Sequence, residues 1–249
     1  MESHPAFLNS PFLHYGVGAF ETMRAIAGRL PLWDYHRQRL TRALEAWGCG
    51  AGLLDDLERA LRPAATSAPL EKVKVIVGLM ETGHAAFRIF REAYVPPPRS
   101  MRLLALREDH PMAAGWKSCN RERHFFAKRR AQASGCDDVL YLTRRKNLLE
   151  TSAAAIHVLS ADHAASASGP ILDSISRRRL LEHPSGFFAG ARISLDDIRA
   201  ARPLLLTNAL RGIFHASEIV WGDGAVSRLP APAAELVERF ETYLFGTKK

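Results

Sequence analysis

The run Glu71-Lys72-Val73-Lys74-Val75-Ile76-Val77 constrains this chain more than any other stretch. Val73, Val75 and Val77 fall on one side of an extended backbone, and Lys72, Lys74 and Ile76 on the other. That period of two demands a half-buried strand, one face on a core and the other open to polar neighbours. The core it needs is supplied upstream. Tyr35, Leu40, Leu44 and Trp47 recur at helical spacing over 34–47, with Asp34 as a fair N-cap and Gly48 and Gly50 as stops. A second helix is predicted over 53–61. Gly16 to Leu32 reads as strand, turn and strand, with Ala27-Gly28 at the turn. The first part of the chain is therefore a mixed α/β unit.

Pro96, Pro97 and Pro98 interrupt pairing and mark a loop over 94–99, before a strand at 101–106. Around Asp109 to Gly115 the patterning fails, which sets a boundary between residues 1–110 and 111–249. The second block opens with a very basic helix over 120–133 that Gly135 stops. Strands follow at 139–143, from Leu148, and at 155–160. Residues 161–170 are small and polar and read as a loop. A short helix is predicted over 175–182, another over 195–201 behind the capping-box-like pair Ser194 and Asp197, a buried strand at 204–206, and a last helix over 233–245. With 47% hydrophobic residues, 249 residues suffice for two modest cores.

The formal charge is +8, carried by 27 arginines and only 7 lysines against 26 acids. Such a surface attracts anions. No Cys/His zinc spacing and no aromatic RNA-binding strand turns the charge into a nucleic-acid module, so a small anionic substrate is the expected partner. No apolar run is long enough for a membrane span. The N-terminus lacks the charged and apolar regions of a secretory signal. The three cysteines, Cys49, Cys119 and Cys136, form no C-x-x-C and suit reduced thiols in the cytoplasm. The histidines are scattered, with no metal-binding motif, and no metal is expected.

The scarcity of lysine makes each one informative. Lys72 and Lys74 lie on the outward side of their strand, Lys146 in a turn, Lys128 among other bases, and Lys248 and Lys249 at the tail. Lys117 follows Gly115-Trp116 at the boundary and precedes a helix. It is either a solvated lysine or one held in a crevice, where a lysine can serve as a Schiff-base former. Glu150 precedes the small residues 151–155. It is either a surface strand end or a carboxylate that a flat ligand can approach closely.

Several stretches, taken in order, resemble the fold-type IV pyridoxal-phosphate enzymes, the class IV aminotransferase family of aminodeoxychorismate lyases and branched-chain aminotransferases. GVGAFETMR leads through a hairpin to a helix with H-x-x-R-L, here Gly16, Gly18, Phe20, Glu21, Thr22, Arg24, His36, Arg39 and Leu40. Val17 stands where the family has Asp. Lys117, Asn120, Ala131, Gly135, Asp137, Leu140, Leu142 and Glu150 match the second block, in which Ala155 and His157 replace the usual Asn and Phe. Ile175-Ser176-Arg177 resembles the G-I-T-R helix start, and Thr207, Asn208 and Leu210 the late loop.

The resemblance implies an α/β (α+β) fold of two lobes, a small N-terminal one and a larger C-terminal one built around a barrel-like sheet, assembled as a homodimer. It implies pyridoxal 5'-phosphate as cofactor. Lys117 would bond to it and move the substrate's Cα proton. Glu150 would face its pyridine nitrogen, Arg39 would clamp its phosphate, and Ser176, Thr207 and Asn208 would complete the phosphate cup. Thr22 would touch substrate. The family's T-R-G-x-G-x-R-G-Y segment is altered to METGHAAFR, leaving Arg88 and Arg91 as replacements for its carboxylate clamp. The stretch Lys117-Ser118-Cys119-Asn120-Arg121 is closer to the lyase pattern K-x-x-N-R. The expected reaction is therefore conversion of 4-amino-4-deoxychorismate to 4-aminobenzoate and pyruvate. Transamination of branched-chain or D-amino acids is the alternative, and a non-catalytic binding protein of the same fold a third.

Overall fold

The computed structural model describes residues 9–50, 52–62, 68–108, 115–199 and 202–246. The chain forms two compact units. One comprises Met1–Val95 with Ala114–Arg121, the other Pro96–Ala113 with Glu122–Lys249. The expected break at Asp109–Gly115 falls mostly outside the described residues. The chain already enters the second unit at Pro96, because the next strand pairs there.

In the smaller unit, helix α1 (Pro11–Tyr15) leads into β1 (Gly18–Ile26), helices α2 (Trp33–Ala46) and α3 (Gly52–Leu61), and strands β2 (Leu70–Leu79) and β3 (Ala85–Ala93). The three strands form an antiparallel sheet in the order β1-β2-β3. Val73, Val75 and Val77 are fully buried with Met23, Leu40, Leu44, Leu54 and Leu57, so the alternation chose the face that α2 and α3 cover. The second strand expected before Leu32 shrinks to one bridge, Ile26 to Arg29, after a turn in which Ala27 and Gly28 both take positive φ. Asp34 lies in the first turn of α2 rather than at its N-cap, which is Leu32 without a side-chain cap. An acid there still complements the helix dipole.

The larger unit contains β4 (Ser100–Arg107), helix α4 (Glu122–Ala133), β5 (Asp138–Leu142), β6 (Leu148–Thr151), β7 (Ala155–Leu159), β8 (Ala164–Ala167), helix α5 (Ile175–Leu181), β9 (Phe188–Ala191), helix α6 (Leu195–Arg199), β10 (Leu204–Asn208), β11 (Gly212–Val220), β12 (Val226–Arg228) and helix α7 (Ala234–Phe245). The path β10-β11-β4-β5-β6-β7 closes on itself because β7 also pairs with β10, giving a six-stranded barrel. Leu103, Leu140, Leu148, Ile156, Leu206 and Phe214 belong to the core that fills it. β8 and β9 extend the sheet beyond β7. The stretch read as a loop over 161–170 thus contains a strand. Ala164, Ser166 and Ala167 are buried there, and their small side chains carry too little apolar signal to announce it.

Candidate active site

In the smaller unit the lysine-bearing segment pairs with the start of β1. Ala19 bridges Ser118, the Phe20 N–H donates to the Lys117 carbonyl at 2.9 Å, and the Cys119 N–H donates to the Gly18 carbonyl at 2.9 Å. Glycine also lets α1 and β2 pack closely against the start of β1. A Cβ on Gly18 would lie 2.6 Å from the Phe12 ring and 3.0 Å from the Val77 carbonyl oxygen. Gly16 sits at φ 65°, against Asn120.

The pairing places three cations around one aromatic ring. Lys117 Nζ is 5.0 Å from the Phe20 centroid, Lys74 Nζ 5.4 Å and Arg121 Cζ 5.6 Å, all within cation–π range. The charges of Lys74 and Arg121 also act on the Cys119 thiol. Burial raises that thiol to about 11, and the two cations oppose the rise. Thr22 is on the same face of the sheet, paired in register with Lys74, and Arg88 pairs with Ile76, the partner of Phe20.

The opposite face of β1 carries Glu21. Its carboxylate accepts from Arg39 Nε at 2.7 Å and Nη2 at 2.5 Å, and from His36 Nδ1 at 2.6 Å. Burial alone would raise the Glu21 pKa, but Arg39 and His36 overcome it and hold the carboxyl at about 2. His36 is kept below the ordinary imidazole value by burial, with Glu21 pulling it upward and Arg39 and Lys117 pushing it further down. A neutral His36 that donates from Nδ1 leaves a lone pair on Nε2, and that buried atom has no partner among the described residues.

The expected clamp of Arg88 with Arg91 does not form as a pair. Three residues apart on a strand, they project to opposite faces. Arg91 donates to the Leu61 carbonyl at 2.6 Å and to Glu71 at 3.2 Å, closing the end of α3, while Arg88 stays exposed on the Phe20 face.

In the larger unit, Glu150 owes its position to an irregularity. Leu140 pairs with Thr151 but Leu142 with Leu148, so two steps on β5 meet three on β6. One extra residue lets Leu149 and Glu150 together span Tyr141. Glu150 is buried and accepts the Leu172 N–H at 3.0 Å. Arg177, at the start of α5, feels the charges of Glu150 and Asp173, and its Nε is buried without a partner among the described residues.

Ser176 and Thr207 do meet, but not as open cup members. Both are fully buried, and the Ser176 hydroxyl donates to Thr207 Oγ1 at 3.1 Å. Asn208 braces the turn after β10: its Oδ1 accepts from the Leu210 and Arg211 N–H groups at 3.0 and 2.7 Å, and its Nδ2 donates to the Ala153 carbonyl at 3.2 Å. Lys74, Arg121 and His36 escaped the sequence reading as site residues. For Lys74 the only signal was its place opposite the valines, which a solvated strand face shares.

A lysine amine among cations in the small unit, and separately a buried carboxylate and a buried hydroxyl cluster in the barrel unit, are groups of the kind that carbonyl-bonding lysine enzymes use. The chain belongs to the class IV aminotransferase family, whose sequence model matches residues 18–219. No curated protein matches the chain in sequence. Among solved structures, a protein from Legionella pneumophila provisionally named 4-amino-4-deoxychorismate lyase is 18% identical, with a TM-score of 0.76 over 96% of this chain and 94% of that one. The PLP-bound form of a hypothetical aminotransferase from Mycobacterium tuberculosis is 17% identical, with a TM-score of 0.81 over 98% and 95%. The branched-chain aminotransferase of Thermoproteus uzoniensis, solved with norvaline, is 20% identical, with a TM-score of 0.79 over 95% and 88%.

Proposed function

We propose that this chain is a cytoplasmic, homodimeric pyridoxal-phosphate enzyme that converts 4-amino-4-deoxychorismate to 4-aminobenzoate and pyruvate. The observation that carries the choice of substrate is the group of Lys74, Lys117 and Arg121 around Phe20. One of these amines is needed for chemistry, and the other two cations suit a substrate with two carboxylates. Arg121 is also the residue that makes the local pattern K-x-x-N-R.

The donor set fits the cofactor. The buried donor Arg177 Nε lacks a partner among the described residues, as polar atoms do where an anionic ligand completes them, whereas the lone pair on His36 Nε2 calls for a donor such as a water. Arg39, one helical turn beyond His36, would hold the phosphate, and Glu150 would hold a proton at the pyridine nitrogen. Bound there, pyridoxal phosphate supplies an electron sink for the electrons released at the substrate's Cα. Lys117 Nζ takes the Cα proton. Arg121 and Lys74 fix the carboxylates so that the C–O bond to the enolpyruvyl group can break. The departing enolpyruvate takes up a proton and becomes pyruvate, and the ring left behind aromatises. No oxo-acid acceptor is consumed.

Transamination is the second reading, supported by the family and by the norvaline-bound relative. One experiment separates the two. Cofactor-loaded protein is given aminodeoxychorismate in one tube, and D-alanine or a branched-chain amino acid with 2-oxoglutarate in another. Pyruvate and 4-aminobenzoate in equal amounts from the first support the lyase. Glutamate from the second at much higher kcat/KM, with no 4-aminobenzoate from the first, overturns it. Borohydride reduction and peptide mapping should find the cofactor on Lys117, and a label on Lys128 or Lys146 would refute the assignment of the lysine.

A further inference from the structure

His157 stands where the family has Phe, and it is fully buried on β7 of the larger unit. Both ring nitrogens are bonded to hydroxyls: Nδ1 to Ser166 Oγ at 2.7 Å and Nε2 to Thr207 Oγ1 at 3.0 Å. The chain of contacts continues from Thr207 to Ser176 at 3.1 Å and from Ser176 to Ser174 at 3.2 Å. Ser166, His157, Thr207 and Ser176 are all 0% exposed, while Ser174, at 9%, is the member that reaches the surface. Four hydroxyls and one imidazole thus form a single sealed line with one outer end.

Proton counting fixes its direction. Each hydroxyl has one proton to give. Ser176 gives its proton to Thr207, so Thr207 has His157 Nε2 left as its acceptor. A ring that accepts at Nε2 and is neutral carries its proton on Nδ1 and donates to Ser166. Burial keeps the ring neutral, at about 3, with the charge of Arg177 adding to the effect. Ser176, its proton spent, accepts from Ser174. Ser174 also accepts the Arg177 N–H and is left with only a lone pair to show outward. That polarity repels an anion. The opposite tautomer reverses every member: Ser166 donates to Nδ1, Nε2 donates to Thr207, Thr207 to Ser176, Ser176 to Ser174, and the Ser174 hydroxyl becomes an outward donor.

We propose that His157 is a positioning residue for the cofactor's phosphate, acting through Thr207, Ser176 and Ser174, and that the bound phosphate selects the Nε2–H tautomer of its ring. The inference rests on the cofactor reading above. It takes the segment matched to the family's phosphate-binding helix start, and adds the device that turns its hydroxyl protons toward the anion. The usual Phe could not do this, and Ser174 likewise replaces the family's glycine.

The test uses full-length protein with ¹⁵N-labelled histidine rings, examined without ligand and after loading with pyridoxal phosphate, the His157→Phe spectrum serving to assign the signal. The free protein should show the proton on Nδ1, and the loaded protein on Nε2. Gln at 157 places an amide N–H near the Nε2 position, so H157Q should keep cofactor affinity within about twofold of wild type. H157N reaches only Ser166 and H157F neither hydroxyl, so both should bind roughly tenfold more weakly. A merely structural His157 would make affinity follow thermal stability across the variants, with no change of tautomer. The same tautomer in both states, or wild-type affinity in H157F, overturns the proposal while the cofactor reading stands. Wild-type protein that takes up no pyridoxal phosphate at all overturns both.

Discussion

Glu21 shows how one carboxylate can tie the small unit together. It is buried, ionised, and bonded to both Arg39 and His36. Its pKa is held at about 2 against an ordinary 4.5, so its proton affinity is lower folded than unfolded. The stability it contributes is complete above pH 4.5 and is lost as the pH falls toward 2. A tenfold change in proton affinity is worth about 1.4 kcal/mol, which puts the loss on the order of 3 kcal/mol. Denaturant melts followed by tryptophan fluorescence should show this acid arm in wild-type protein and a flattened one in Glu21→Gln. An equally steep arm in the variant would assign the acid sensitivity to other groups. The same triad accounts for a limit of sequence reading. Glu21, His36 and Arg39 were visible as parts of a motif, but the spacing of a motif does not say that Arg39 spends two nitrogens on an internal carboxylate.

At the scale of elements, the extra residue in β6 decides where Glu150 goes. Glu150→Gln keeps the size and removes the charge. The expected loss in the proton-abstraction step is about 10²-fold, roughly 3 kcal/mol, with less cofactor release than in Arg39→Ala. Equal cofactor loss in the two variants, with full turnover per bound cofactor in the Gln variant, would refute that division of labour. The approach of α1 to the small sheet is set by absent side chains. Gly18→Ala would drive a methyl into the Phe12 ring, at a cost of about 1–3 kcal/mol. In a Phe12→Ala background the same change should cost much less. Additive costs in the double-mutant cycle would show that the ring is not what the methyl meets. Long periodic elements such as α2, β2 and α7 were legible because burial repeats along them. β3 was not, because Arg91 falls on the core-facing side with Phe87 and Ile89 while Phe90 falls on the outer side with Arg88 and Glu92, so neither face is uniform. β9 was four residues with no period to detect. The bulge could not be read at all, since it exists only in the register between two strands.

At the scale of the whole molecule, each unit has its own core and its own cluster of chemical groups. Phe20, Lys74, Lys117 and Arg121 belong to the small unit, and Glu150, His157, Ser176 and Thr207 to the barrel. The basic composition pointed to an anionic partner without naming the residues that would meet it. Lys117 stood out in the sequence because this chain has so few lysines, whereas its neighbours Lys74 and Arg121 come together only through the pairing of β1 with β2 and with the segment after Trp116. Among the described residues no helix is long and apolar enough to cross a membrane.

The order in which the two units share the chain has a consequence for synthesis. The small unit takes residues up to Val95, gives way to β4, and takes back Ala114–Arg121, whose Ser118 bridges Ala19 of β1. A ribosome has therefore already made the first strand of the barrel before the small sheet can acquire its lysine. Cutting the gene at Val95 would yield an N-terminal fragment with three strands and two core helices but without Lys117. Lys117 would then leave with the barrel, so a cut between the two cores parts the lysine from the sheet its segment bridges.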